Sequence, residues 1–214
     1  VEIPNSVTSL GVSGFFQCIA LTNVVMGTGL TSLQSYTFVG CSSLPRITLG
    51  PNVVEIGPHA FRGCPNLTTV DCPGNVRNIA LSAFKDCRGL KTISFTGDAP
   101  NVDTGVFEGA DQVSIYYLPG TTGWGPTLGD RPTWLWNPQM PTNDPSFGVG
   151  IDPERFGFTI TGSESLEVVV EASTAIPGAT WVPVGTNTLV NGSSYFSDPD
   201  WAEYQGRFYR LRSP

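Results

Sequence analysis

"ITLGPNVVEIGPHAFRGCPNLTT", residues 47–69, carries a phenylalanine, a cysteine three residues later and a leucine three beyond that (Phe61, Cys64, Leu67). The triplet returns every 23 residues: Phe15, Phe38, Phe61 and Phe84; Cys18, Cys41, Cys64 and Cys87; Leu21, Leu44, Leu67 and Leu90. Phe107, Ala110 and Val113 form a fifth, weaker copy at the same offsets. Three further apolar columns agree: Val1, Val24, Ile47, Val70 and Ile93; Ile3, Met26, Leu49, Cys72 and Phe95; Leu10, Leu33, Ile56, Ile79 and Val102. Constant spacing of this kind marks a repeat architecture. Residues 1–118 therefore read as five copies of one unit with almost no insertions.

Each unit opens on alternation. In "RITLG" Ile47 and Leu49 point one way and Arg46 and Thr48 the other, as expected of a short half-buried strand. Pro4, Gly27, Gly50 or Pro73 closes it, a second apolar doublet such as Val53 and Ile56 follows, and the "AFRGC" segment reads as a tight helical turn. So small a unit cannot bury its apolar side alone. Neighbours must stack, with strands about 4.8 Å apart along a superhelix. The expected fold is mainly β, a solenoid with a parallel strand ladder and short helical turns.

The unit resembles the 23-residue leucine-rich repeat of BspA-like bacterial surface proteins. The matching pattern is a strand, a "VTxIGxxAFxGC" arc and a closing leucine. Ala110 in place of the fifth cysteine, and Gly27 and Gly50 where that family usually has proline, are departures. The resemblance implies a secreted or surface-displayed protein acting in adhesion or protein binding. The chain opens on a repeat strand, which reads as a solenoid truncated at its N-terminal end.

Composition agrees with a binding protein and excludes some partners. The net charge is -7, with six basic against eight acidic residues before position 121 and five against ten after it. That is the wrong sign for nucleic acid, where Lys and Arg must displace counterions. No apolar run is long enough for a membrane span.

The cysteines fall in one column, where a small side chain with a weak S–H donor suits a tight turn. Zinc would want ligands in closely spaced pairs, and each turn offers one thiol. Disulfides between neighbouring turns are geometrically conceivable, but the total of five, with Cys72 in a strand column, offers no paired spacing. Free, buried thiols are expected.

From Pro119 the period dissolves into a segment dense in Gly, Pro and Trp, residues 119–146, read as a cap and linker. Trp124, Trp134 and Trp136 are large enough to cover the open end of a solenoid. Residues 147–214 alternate throughout, as in Phe156, Phe158 and Ile160, with turns at short intervals. They suggest a small antiparallel β-sandwich. This stretch resembles a C-terminal module of secreted proteins from environmental bacteria, through "VVEAST" (169–174), "VGTNTL" (184–189) and "RFYRL" (207–211). The resemblance implies an accessory role.

An enzyme lacks its inventory here. His59 is the only histidine, and it shares a column with Ser13, Tyr36, Ser82 and Gly105, which reads as an exposed turn position. No base is available beside a serine or cysteine nucleophile. Asp198, Asp200 and Glu203 cluster in "SDPDWAEY", where an Asx-type turn is favoured over calcium. No catalytic residue, metal or cofactor is therefore expected.

Binding falls to the outward strand columns, Asn23, Arg46, Thr69, Thr92, Ile115 and Glu2, Val25, Thr48, Asp71, Ser94, Tyr117. Interface energy concentrates in charged and aromatic anchors, which singles out Arg46, Asp71, Ile115 and Tyr117. Thr-rich ladders also serve plain strand pairing. The expectation is a non-enzymatic extracellular or cell-surface protein that binds a protein or surface ligand. A glycan bound by the Trp-rich cap or the C-terminal module is the alternative.

Overall fold

The computed structural model describes residues 1–143, 147–148, 156–176 and 180–213, which divide into two compact units, Val1–Trp134 and Leu135–Pro214. Of the segments read from the sequence, 144–146 of the linker and 149–155, 177–179 and 214 of the C-terminal module lie outside the described residues.

Unit 1 is a β-solenoid of stacked coils. Strands Arg46–Thr48, Thr69–Cys72, Thr92–Phe95 and Ser114–Tyr117 form a parallel ladder, and Glu2–Ile3 pairs in parallel with Val25–Met26. A second parallel ladder runs through Ser32–Leu33, Glu55–Ile56, Asn78–Ile79 and Asn101–Val102. Because equivalent residues stack in register, each apolar column becomes a continuous stripe of core. Phe15, Phe38, Phe61, Phe84 and Phe107 form one stack with centroid spacings of 5.2, 5.3, 5.2 and 5.8 Å.

The arc between the ladders differs from expectation. It is not a helical turn but a chain of β-turns: Val39 N–H donates to Tyr36 O and Cys41 N–H to Phe38 O, with the same pattern in later coils. The alternate N–H groups serve another purpose. In each of the first four coils three of them donate to the next coil, as when His59, Phe61 and Gly63 donate to Leu81, Ala83 and Lys85. This arrangement needs left-handed backbone at two points per coil. Ser13, Tyr36, His59, Ser82 and Gly105 all have φ between 54 and 66°, and Gln17, Gly40, Gly63, Asp86 and Gly109 all have φ between 52 and 75°. The column of His59 is thus permissive in side chain but constrained in backbone, a region where non-glycine residues are uncommon. Its imidazole lies half-buried, stacked on Tyr36 at 5.0 Å.

The thiols occupy the packing role expected of them, with an added bond. Cys41, Cys64 and Cys87 donate S–H to Phe15 O, Phe38 O and Phe61 O at 3.2, 3.1 and 3.0 Å, and all five cysteines are free. Burial, with Cys64 beside it, pushes the Cys41 thiol up to about 12. The Cys64 thiol is raised by the neighbouring Cys87 thiol and by burial, and Cys72 by burial and then by the Asp71 charge. The thiolate is the reactive form, so a thiol reagent at mildly alkaline pH should label half-buried Cys18 first. Cys41, Cys64, Cys72 and Cys87 should react only as fast as the chain unfolds; rapid native labelling of several thiols would contradict this packing.

Beyond Pro119, the hairpin Thr127–Leu128 and Arg131–Leu135 adds to the main ladder beside Ser114–Tyr117. Trp124 packs against Phe95 at 5.2 Å and stacks on Tyr117 at 4.8 Å.

Unit 2 is built of antiparallel sheets. Phe156–Thr161 pairs with Ser193–Asp198, and Glu167–Ser173 lies between Val182–Thr188 and Phe208–Arg212. The central strand is buried on both faces, which explains its uninterrupted run Val168, Val169, Val170. Glu171 within it is 5% exposed and is held by Arg210 and Arg212 through bonds of 2.7 and 2.6 Å. Burial works to raise its pKa, but the two guanidinium groups prevail and hold the carboxyl below its ordinary range. Asp198, 2% exposed, accepts from Arg207 at 3.1 Å, from the Tyr209 hydroxyl at 2.8 Å and from Asp200 N–H at 3.0 Å. The last of these is an Asx-type turn in the Asp-Pro-Asp segment. The motif residues of 169–174 and 207–211 are therefore joined by the Glu171–Arg210 ion pair, and Arg212 just beyond adds a second bond to the same carboxylate.

Candidate binding face

The main ladder presents its outward side chains in rows, because successive strand residues alternate sides and neighbouring coils keep register. Arg46 and Asp71 stand on adjacent strands and form an ion pair of 2.9 Å, with side chains 63% and 31% exposed. Asp71 is further held by Thr48 Oγ1 at 3.0 Å and by Ser94 Oγ at 2.8 Å. One carboxylate thus ties three strands together. An exposed pair of this kind contributes only about 0–1 kcal/mol to stability; its effect is to fix where the Arg46 fork points.

The other two expected site residues are placed elsewhere. Ile115 pairs with Ile93 and is 0% exposed, so it is core and not surface. Tyr117 pairs with Phe95 and lies in the inward column, stacked on Trp124. The reason is a one-residue contraction. Ser114 aligns with Thr92, an offset of 22, so the fifth strand slips by one relative to the period and every side chain changes face. The signal was present in "SIYY": setting Ile115 on Ile93 and Tyr117 on Phe95 preserves the apolar alternation. The outward position opposite Ser94 belongs to Tyr116, which is 8% exposed.

Beside Arg46 the face is interrupted. The pair Glu2–Ile3 and Val25–Met26 forms a sheet separate from the ladder that starts at Arg46–Thr48. A cleft of about 340 Å3 lies there, lined by Asn23, Val25, Met26, Arg46, Thr48 and Leu49. Val25 is 52% exposed. Among the described residues no group of three or more His, Cys, Asp or Glu side chains is placed to hold a metal ion, and no helix is long and apolar enough to cross a membrane.

Coils of one length, an inward Phe–Cys–Leu column and a parallel ladder are now in view together, and the BspA type leucine-rich repeat region matches residues 1–114 in six copies. The chain belongs to the BspA-type leucine-rich repeat family. Its members are typically bacterial surface or secreted proteins, and leucine-rich repeats generally serve as binding scaffolds. Among solved structures, the leucine-rich repeat protein of T. pallidum is similar at 25% identity, with a TM-score of 0.49, over 56% of this chain and 60% of that one. A leucine-rich repeat protein from Bacteroides ovatus matches at 15% identity over 54% of each chain, with a TM-score of 0.26. The BspA-type chain spans 60% of the length of the T. pallidum protein. A comparison with curated proteins found no match.

Proposed function

We propose that this chain is a non-enzymatic, extracellular or cell-surface binding protein that engages a partner protein through the outward face of its main ladder. The observation that carries the reading is the cleft beside Arg46. A guanidinium oriented by Asp71 stands at the rim of an apolar floor made by Val25, Met26 and Leu49. Arginine over an apolar recess is the kind of anchor in which binding energy concentrates, because the recess excludes water from the contacts around it. Residues 135–214 act as an accessory module. The glycan reading has less support at Trp124, since one ring face is taken by Tyr117 and Phe95 packs against it as well.

The test is adhesion by cells displaying the chain. Replacing Arg46 with Ala and Val25 with Asp should lower adhesion by roughly tenfold or more, the loss of one to two anchor residues. Substitution of Asn78, on the second ladder, should leave it unchanged. A doubly substituted chain that adheres as well as the parent would refute the ladder face as the binding surface.

A further inference from the structure

The arc of the fifth coil stops with its donors unused. Twelve hydrogen bonds, three at each of four junctions, run from arc N–H groups to carbonyls of the following coil. All point the same way along the solenoid. In the fifth coil the equivalent donors are the N–H groups of Gly105, Phe107 and Gly109, and no residue among those described accepts from them. The hairpin that follows covers the core without accepting from them: Gly129 lies over the Phe107 ring, where an added Cβ would come within 3.0 Å, and Arg131 Nη2 donates to Phe107 O. Gly105 is exposed and Gly109 half-buried, but Phe107 is 2% exposed, and an unpaired backbone donor at a buried residue is rare.

Two of these residues, Gly105 and Phe107, line a cleft of about 520 Å3 together with Asp103, Glu108, Asp130 and Arg131, and Gly109 continues the arc outside that lining. An ordinary sheet edge alternates donors and acceptors. This edge offers donors only at its cross-coil positions, so its complement is a segment that presents carbonyl oxygens at alternate residues, as the following coil does at every earlier junction. The rim decides between candidate acceptors. Glu108 pairs with Lys85 at 2.8 Å and Asp103 accepts from Leu81 N–H, while the Asp130 carboxylate is exposed and has no partner among the described residues. Arg131 in the same lining is paired with Asp111 at 2.7 Å, so the rim is acidic on balance and favours a neutral carbonyl flanked by cationic side chains over a free anion. A second solenoid cannot be the occupant, because Gly129 fills the place where the next phenylalanine would stack.

We propose that this cleft binds an extended, Lys- or Arg-rich peptide segment of a partner protein. Alternate peptide carbonyls accept from Gly105, Phe107 and Gly109, a basic side chain reaches Asp130, and Glu108, shared with Lys85, adds to the acidic rim. Main-chain bonds supply affinity and the flanking charges supply selectivity, as in other strand additions. The site is separate from the cleft beside Arg46 and does not depend on it.

Acetyl-Lys-Thr-Lys-Thr-Lys-Thr-amide titrated into the full chain, with backbone amides followed by NMR, tests this. The Gly105, Phe107 and Gly109 amides should shift downfield, and their hydrogen exchange should slow by about tenfold or more. The same peptide with Glu for Lys should leave them unchanged. Asp130→Asn and Glu108→Gln, which keep the surface polar and are checked by melting curve, should together weaken binding roughly fivefold at low salt. Absence of amide shifts, equal binding of the acidic peptide, equal binding by the two-residue variant, or reproduction of the shifts by sodium acetate alone would each overturn the proposal.

Discussion

Phe61→Ala should destabilise unit 1 by roughly 3 to 5 kcal/mol, the range for emptying a buried aromatic site. Phe61 is 0% exposed, and its ring is stacked on both sides, by Phe38 at 5.3 Å and Phe84 at 5.2 Å. Neither neighbour can move into the space, because the hydrogen bonds that Phe61 N–H and Phe38 N–H make to the following coils hold the arcs at fixed spacing. The effect should grade along the stack. Phe15 is half-buried and, among the described residues, stacks on Phe38 alone, so Phe15→Ala should cost clearly less. Denaturant titration of the two variants checks the order; equal losses would show that the stack is not the unit of stability. In a solenoid whose coils contact only their neighbours, the change should appear in the unfolding of residues 1–134 and not in that of the C-terminal sheets.

Asp198→Ala is expected to act on the other unit with a similar magnitude, on the order of 3 to 5 kcal/mol, since removing one partner of a buried pair strands the other charge. Asp198 and Arg207 side chains are 2% and 11% exposed. Arg207 Nη1 is buried and already lacks a partner among the described residues, so removing Asp198 leaves Nε without its acceptor as well. The loss should be confined to unfolding of residues 135–214. A spectroscopic sign accompanies it. Burial, then the Asp198 hydrogen bond and charge, push the Tyr209 phenol above its usual range, so ultraviolet titration of Asp198→Ala should find that hydroxyl ionising at lower pH than in the parent chain. An unchanged unfolding curve with an unchanged tyrosine titration would remove Asp198 from the core of this module.

The sequence by itself determined the solenoid, its period and the free thiol column. Residues such as Phe38, Cys41 and Leu44 must stack on their own equivalents, so side-chain type is forced to repeat and the architecture is written as spacing. Strand positions in the C-terminal module were legible for a related reason, the alternation of Phe156, Phe158 and Ile160 across a sheet. The tertiary structure alone decided features that side-chain periodicity does not encode. Left-handed backbone at Ser13, Tyr36, His59 and Ser82 follows from hydrogen bonds to the next coil and leaves no common residue type behind. The contraction before Ser114 moved Ile115 into the core and Tyr117 onto Trp124, because burying an alternating apolar face outweighs keeping the count. Glu171 meets Arg210 and Arg212 from 39 and 41 residues away, and Asp71 gathers Arg46, Thr48 and Ser94 from neighbouring coils. Those partnerships depend on which strands pair and in what register, and charge pairing fixes neither until the apolar columns have closed.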